Sequence, residues 1–167
     1  KKTKCSDCQN RQLKPLEYND VYNHLVGKDE YGRDVIGLYP ILEDNTCYFL
    51  CADFDDKTCE HGFKEDVLTY VAVATEWDVP CYIERSRSGN GSHVWIFFEN
   101  PVLAIKARKL GNALLTEAML RREKMALNSY DRLFPNQDTL SDGGLGNLVA
   151  LPLQGKARRN HNSVFVD

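Results

Sequence analysis

The sequence predicts an α+β domain, and three observations support this prediction. An apolar run over residues 46–53 ends in acidic residues, which is typical of a buried strand at its end. Two longer segments, 64–77 and 103–125, repeat apolar residues at helical spacing. A Gly/Ser-rich turn separates the apolar runs 81–84 and 94–98, which we expect to pair. The resulting order of strand, helix, strand, strand, helix and strand indicates an RRM-like or palm-like sheet.

The segment before the acidic strand contains three weaker elements. Residues 1–15 are polar, and residues 16–25 fit a short helix. Turn-forming residues at 30–34 and 43–45 flank an apolar run at 35–39, which we interpret as a strand.

The elements after the acidic strand follow from their periodicity. Apolar residues repeat on one face of each of the two longer predicted helices. In 64–77 they are Val67, Tyr70, Val71 and Ala74, and in 103–125 they are Ala107, Leu110, Leu114 and Ala118. Pro80 starts the strand between them. We expect residues 133–146 to be rich in loops, with short strands at 148–151 and 164–166.

Length and composition limit the number of domains and the kind of protein that this chain can be. The chain has 167 residues, a formal net charge of −3 and 43% hydrophobic residues, enough for one domain with a proper core. No apolar run approaches the roughly 20 residues of a membrane span, and no signal peptide is evident. Six cysteines without a secretory context indicate reduced thiols or metal ligands, and hence a cytoplasmic protein.

The distribution of basic residues bears on nucleic-acid binding, and the two ends of the chain bear on the extent of the protein. The net negative charge does not favour nucleic-acid binding, but basic residues cluster at 1–4, 106–109, 121–124 and 156–159. The two middle clusters are best interpreted as solvated helix surfaces. The chain opens without methionine and closes on an apolar strand pattern, so we expect residues 1–167 to be one domain of a longer protein.

Asp53 and Asp55 are the first candidate site residues. Side chains alternate along a strand, so both carboxylates point to one face. Neighbouring acids repel each other unless a cation lies between them, and oxygen ligands of this kind suit Mg²⁺ or Mn²⁺. A strand that runs into a polar turn with solvated acids fits these two residues equally well.

A second motif follows in the turn between two predicted strands. Residues 88–93 read Ser-Gly-Asn-Gly-Ser-His. Glycines allow unusual backbone angles and close approach of a ligand, and Ser88, Ser92 and backbone N–H groups can cradle phosphate oxygens. His93 and the nearby Arg85 and Arg87 could bind the same anion. An ordinary hairpin with a surface histidine is the simpler alternative.

Together the two motifs resemble the archaeo-eukaryotic primase superfamily. Its pattern is a strand-borne acid-x-acid, then Ser-Gly-x-Gly-x-His on a hairpin, then a third acid. The resemblance is to the primase-polymerases of conflict systems (TOTE type) and of CRISPR systems, which carry segments similar to 134–138 and 146–154 of this chain. It extends over most of the chain, from Cys5 to Val166, and implies the archaeo-eukaryotic primase fold with a palm-like catalytic sheet.

The resemblance implies template-directed nucleotidyl transfer. A primer 3′-hydroxyl would attack the α-phosphate of a dNTP or NTP opposite a single-stranded DNA template. Two divalent ions about 3.5–4 Å apart would be held by Asp53, Asp55 and a third acid. We assign the third acid to Asp138, shortly before the segment 147–149. Asp131 is the alternative, although it also fits a turn cap next to Arg132.

The resemblance also implies a triphosphate site. Ser88, Gly91, Ser92 and His93 would contact the nucleotide. Lys156, after the segment 150–154, would reach its phosphates, with Arg158 and Arg159 as alternatives or as template contacts. Trp95 and Phe97 share the face of His93 and could pack near the nucleotide, although core packing also explains Phe97.

The cysteines form a separate question. Cys5 and Cys8 have the spacing of half a zinc site, within residues 1–15, and Cys59 and His61 could supply the other two ligands. Cys47 and Cys51 fit less well because their strand is predicted to be buried. Such a zinc ion would be structural or would help to grip the template, and it would not be the catalytic metal. Reduced thiols on a frayed terminus are the alternative.

Two other functions stay open at this stage. A palm-type nucleotide cyclase or oligonucleotide synthetase would share the acids and metals, although the motifs at 88–93 and 146–154 match the primase pattern better. A module that binds nucleic acid without catalysis would share the fold. The expected partners are template, primer and nucleotide, together with other modules of the same protein or of its defence system, and no membrane.

Overall fold

The computed structural model describes residues 14–55, 62–122 and 128–167. In these ranges the chain forms four helices and seven strands, which divide into a five-stranded and a two-stranded sheet. The helices are α1 (Tyr18–Val26), α2 (Phe63–Glu76), α3 (Ala104–Arg121) and α4 (Gly155–Arg158). The strands are β1 (Gly37–Leu38), β2 (Thr46–Asp55), β3 (Tyr82–Arg85), β4 (Gly91–Leu103), β5 (Tyr130–Phe134), β6 (Val149–Ala150) and β7 (Val164–Val166).

The large sheet has the order β5-β2-β4-β3-β7, and each neighbouring pair is antiparallel. Strand β2 therefore lies inside the sheet, as its apolar sequence predicts. Its register sets Asp53 opposite His93 of β4, which in turn lies opposite Glu84 of β3. Residues paired in this way share a face, so all three side chains lie on one side of the sheet.

Helices α2 and α3 cover the other face of the large sheet. The residues that alternate with the site residues on β2 and β4 point there and form the main core: Leu50, Ala52, Phe54, Val94 and Ile96. They pack with Tyr70 and Val73 of α2 and with Leu114 and Ala118 of α3. None of the helices in the described ranges is long and apolar enough to cross a membrane.

The small sheet lies on the face of the site. Strands β1 and β6 pair antiparallel, and Leu38 and Val149 from this pair pack with Cys51 and Trp95 of the large sheet. A second, smaller core therefore covers part of the face that carries Asp53 and His93.

Two strands differ from the sequence-based predictions. Strand β5 falls in a segment for which no strand was predicted; as the last strand of the large sheet it pairs with β2 alone in the described part of the chain. Strand β4 is longer than the predicted 94–98, because it resumes pairing with β2 at Val102 and Leu103 after an irregular stretch. Pro101 lies in that stretch and gave no indication of a strand, since proline cannot donate to a ladder.

Candidate active site

Three carboxylates converge at the end of β2. One oxygen from each of Asp53, Asp55 and Asp131 lies within 4.8 Å of the other two. Asp53 and Asp55 come from β2, where alternation puts them on one face. Asp131 comes from the neighbouring strand β5, so the cluster depends on a pairing between segments that are far apart in sequence.

A bulge brings Asp131 to this cluster. Arg132 lies opposite Asp53 and Tyr130 lies opposite Phe54, so Asp131 is the extra residue between two paired positions. Such bulges bend the strand and redirect a side chain. Without the extra residue, Asp131 would take the place of Tyr130, which contacts the Phe54 ring on the helix side.

Asp138, to which the sequence analysis assigned the third carboxylate, lies elsewhere. Its carboxylate forms an ion pair with the Arg108 guanidinium of α3. Within the described residues, Asp131 is the acid that joins Asp53 and Asp55. The structure therefore favours the alternative third acid over Asp138.

His93 lies between two acidic side chains. Its Nδ1 is 2.9 Å from Oε2 of Glu84, and its Nε2 is 3.5 Å from Oδ1 of Asp53. Glu84 is 1% exposed, and its Oε2 also accepts a hydrogen bond of 2.9 Å from the Trp95 indole N–H. The Ser163 hydroxyl donates to the second oxygen, Oε1, at 3.3 Å.

Burial and charge shift two pKa values at the site. Burial raises the pKa of Asp53 to about 6; His93 opposes this rise, while the carboxylates of Asp55 and Asp131 add to it. Burial acts to lower the pKa of His93, but the hydrogen bond and charge of Glu84, with the charges of Asp53 and Asp55, outweigh it and raise that pKa. The site thus concentrates negative charge around one imidazole.

The geometry fits a divalent cation. Among the described residues, the buried Oδ1 of Asp53 accepts no hydrogen bond, because Nε2 of His93 stays at 3.5 Å, longer than a good hydrogen bond. Buried polar atoms are normally partnered, and carboxylate oxygens are the ligands that Mg²⁺ and Mn²⁺ prefer. A cation between the three carboxylates would satisfy this oxygen and offset their mutual repulsion. The donor set does not distinguish between the two metals.

The turn before β4 is tightly built. The N–H of Gly89 donates to the Ser86 carbonyl at 3.0 Å, and the N–H of Asn90 donates to the Ser88 hydroxyl at 3.2 Å. These two backbone donors are therefore used within the turn. Gly89 has a φ of +82°, a conformation that favours glycine.

Gly91 and Ser92 serve the packing of the turn against β2. A Cβ at Gly91 would lie 2.4 Å from the Phe54 carbonyl oxygen and 2.9 Å from Oδ1 of Asp55. Only glycine fits there, next to the acid cluster. Ser92 is buried and lies opposite Phe54, so its side chain is on the helix face of the sheet rather than on the face of His93.

Two cations expected at the phosphates line a separate cleft of about 280 Å³. Lys156 and Arg87 both contribute to it, and the Lys156 ammonium donates to the Glu30 carbonyl at 2.9 Å. Arg158 and Arg159 have another role: their guanidinium groups donate to carbonyls at the end of α1, where helix carbonyls lack partners.

The aromatic residues of β4 extend from His93 along the same face. Trp95 meets the His93 ring edge-on at 6.1 Å between centroids and stacks on Phe97 at 5.9 Å. Trp95 is buried in the smaller core, whereas Phe97 is 52% exposed, so core packing does not account for Phe97.

The proposed zinc ligands Cys5, Cys8, Cys59 and His61 lie outside the described residues. Cys47 and Cys51, the less favoured candidates, are buried free thiols in β2. The burial of both thiols agrees with the strand that the sequence predicts.

Sequence reasoning missed the contribution of Glu84. Two signals could have revealed it. An acidic side chain in an otherwise apolar, buried strand needs a hydrogen-bonding or ionic partner. Extending the predicted hairpin outward from the turn would also have set Glu84 opposite His93. From the sequence, Asp131 is the alternative to Asp138, and no local signal ranks it higher, because its position depends on a bulge and on a distant pairing.

One of two comparisons with known proteins identifies a family for this chain. A family model described as the TOTE conflict system, archaeo-eukaryotic primase domain matches residues 1–167. A comparison with curated proteins gives no match.

Proposed function

Because the chain belongs to the archaeo-eukaryotic primase domain family of the TOTE conflict systems, we propose that it is a primase-polymerase. It would transfer a nucleotide from a dNTP or NTP to the 3′-hydroxyl of a strand paired with a single-stranded DNA template. The observation that carries this proposal is the convergence of Asp53, Asp55 and Asp131 beside His93.

The architecture supports the proposal. The family membership and the mixed helix and strand content agree with an α+β fold. An antiparallel sheet with two helices on one face and the acids on the other is typical of palm-like and RRM-like domains. The interior strand β2 makes a rigid base for the acids, which suits a site that must hold reacting groups in place.

The three carboxylates would hold Mg²⁺ or Mn²⁺, with Asp53 contributing its unpartnered oxygen. A divalent ion held by these carboxylates would supply charge stabilisation for the attacking and leaving oxygens of phosphoryl transfer. Burial, with a smaller contribution from the neighbouring carboxylates, raises the pKa of Asp53 to about 6, so its side chain is still ionised and available as a ligand at neutral pH. Asp131 replaces Asp138 in this role because it lies in the cluster.

The remaining residues would bind and orient the triphosphate. His93 presents Nε2 beside Asp53, so an anion bound at the acids through a metal would lie within reach of the imidazole. Lys156 and Arg87 line a cleft apart from the acid cluster, so they would neutralise phosphate charge where the bound nucleotide or the template extends into that cleft. Ser88 and Gly91 would shape the turn. The backbone N–H groups of Gly89 and Asn90 have partners within the turn, so they would not be the donors to phosphate.

The test is primer synthesis and extension on single-stranded DNA, with Mg²⁺ or Mn²⁺ and with dNTPs or NTPs in turn. We expect metal-dependent product from the unmodified chain. Asp55→Asn, which preserves shape and removes a charge, should lower the rate about a thousandfold, because the metal site stabilises the transition state by several kcal/mol.

The outcomes separate the alternatives. Product that survives Asp55→Asn would contradict the assignment of the acids. Cyclic or untemplated products would point to a cyclase or oligonucleotide synthetase. A chain that binds DNA but neither triphosphate nor metal would be a binding module without catalysis. Metal analysis of the same preparation tests the proposed structural zinc at Cys5, Cys8, Cys59 and His61.

A further inference from the structure

Glu84 is a buried acid that the proposed reaction does not use. It lies inside the sheet at 1% exposure, with the imidazole of His93, the indole of Trp95 and the hydroxyl of Ser163 around its two oxygens. A buried carboxyl group is costly unless hydrogen bonds compensate for lost hydration. Three neighbouring donors provide that compensation, and one of them belongs to the candidate active site.

The chemistry of these donors fixes the arrangement. An indole N–H can only donate, so Oε2 of Glu84 acts as an acceptor toward Trp95. The same oxygen is 2.9 Å from Nδ1 of His93. A carboxylate oxygen accepts there too, which puts a hydrogen on Nδ1. The opposite nitrogen, Nε2, then points toward Asp53.

We propose that Glu84 is a positioning residue, which holds the ring of His93 and its Nδ1–H so that Nε2 faces the acid cluster. The bond made by one imidazole nitrogen commonly decides the state and direction of the other. The consequence for triphosphate binding rests on the proposed function, but the link between Glu84 and His93 does not.

A purely structural role for Glu84 predicts something different. Glu84 also holds Ser163, just before β7, and the indole of Trp95. If these were its only tasks, a substitution would act through stability alone. Ser163→Ala is the matched control, because it removes a partner of Glu84 without touching the bond to His93.

The first measurement uses no nucleotide. The ring nitrogens of ¹⁵N-labelled histidine report which nitrogen carries the hydrogen at alkaline pH, where the imidazole carries one. We expect Nδ1–H for His93 in the unmodified chain, in Ser163→Ala and in Glu84→Gln, whose amide oxygen can still accept. Glu84→Met, which has similar length and no acceptor oxygen, should lose this preference. An unchanged Nδ1–H in Glu84→Met would overturn the proposal.

A second variant keeps the test possible if Glu84→Met does not fold. Glu84→Met leaves the buried indole N–H without its acceptor. The double variant Glu84→Met/Trp95→Phe removes that donor as well and gives the same readout. Nδ1–H retained in the double variant would equally overturn the proposal.

The second measurement is a double-mutant cycle that combines Glu84→Met with His93→Ala and records nucleotide affinity. The Kd of the α,β-methylene analogue of dATP with Mg²⁺ should rise about tenfold in Glu84→Met, by analogy with other residues that orient a functional histidine. In a His93→Ala background the same substitution should change the Kd less than about twofold, because the residue through which it acts is gone. Equal effects in both backgrounds would show a structural role and overturn the proposal. Failure of the unmodified chain to bind both this analogue and its ribonucleotide counterpart would contradict the proposed function, while the nitrogen measurement would still decide the role of Glu84.

Discussion

Replacing Asp53 by asparagine should stabilise the metal-free protein at neutral pH. The Asp53 side chain is 14% exposed, and Oδ1 has no hydrogen-bond partner among the described residues. Ionising this carboxyl group in the folded chain is unfavourable, which is why its pKa rises from 3.8 to about 6. The asparagine side chain would carry no charge, and its amide could donate to the neighbouring carboxylates.

The magnitude follows from the pKa values. At 1.36 kcal/mol for each pH unit, the difference between 3.8 and about 6 corresponds to about 3 kcal/mol of unfolding free energy at pH 7.5. Because the pKa of this acid is raised in the folded state, its ionisation lowers the free energy of unfolding. The penalty is absent below pH 3.8, where both states are protonated, and it is fully present above pH 6. At pH 4.5 the advantage of the variant should fall to about 1 kcal/mol.

The assay is urea unfolding at pH 7.5 and pH 4.5 with a metal chelator present. Asp138→Asn is the control, since that carboxylate pairs with Arg108 outside the cluster and should bring no gain. Adding Mg²⁺ at pH 7.5 should stabilise the unmodified chain more than Asp53→Asn, because a ligand that binds the folded state raises its stability. A lower stability of Asp53→Asn than of the unmodified chain at pH 7.5 without metal would contradict this prediction.

Three further predictions concern the surroundings of the site. Mg²⁺ affinity should fall as the pH drops below about 6, because protonated Asp53 is a poor ligand; calorimetric titration at pH 5 and pH 7.5 checks this, and equal affinities would contradict it. Gly91→Ala should lower the free energy of unfolding in urea by at least about 1 kcal/mol and impair activity, because the new Cβ would lie 2.4 Å from the Phe54 carbonyl oxygen. An unchanged unfolding midpoint would contradict this prediction and show that β4 can move aside. Asp66→Ala should cost about 3–5 kcal/mol in the same assay, because Asp66 is 3% exposed and its ion pair with Arg122 at 3.0 Å would be broken; a loss below about 1 kcal/mol would contradict this.

Local pattern predicted the parts of the site that lie on one strand or one turn. Alternation along β2 placed Asp53 and Asp55 on one face, and the hairpin pattern placed His93 at the start of the next paired strand. The family match over residues 1–167 confirms the resemblance on which the functional interpretation rests.

The parts that sequence reasoning missed depend on distant pairing. Strand β5 forms because its residues pair with β2, and the bulge at Asp131 has no local signature such as a glycine. Asp138 lies near a recognisable segment but is drawn to Arg108 on α3, a contact that spacing alone does not reveal. Glu84 is the exception, because the local hairpin of β3 and β4 sets it opposite His93 and its position could have been inferred from the sequence.

The most direct test of the account compares Asp131→Asn with Asp138→Asn in primer extension. Both variants exchange a carboxylate for an amide in the segment from 130 to 138, so they differ chiefly in whether the residue lies in the acid cluster. We expect Asp131→Asn to lower the rate about a thousandfold and Asp138→Asn to stay within about threefold of the unmodified chain. Loss of activity in Asp138→Asn with activity retained in Asp131→Asn would contradict the site described by the structure.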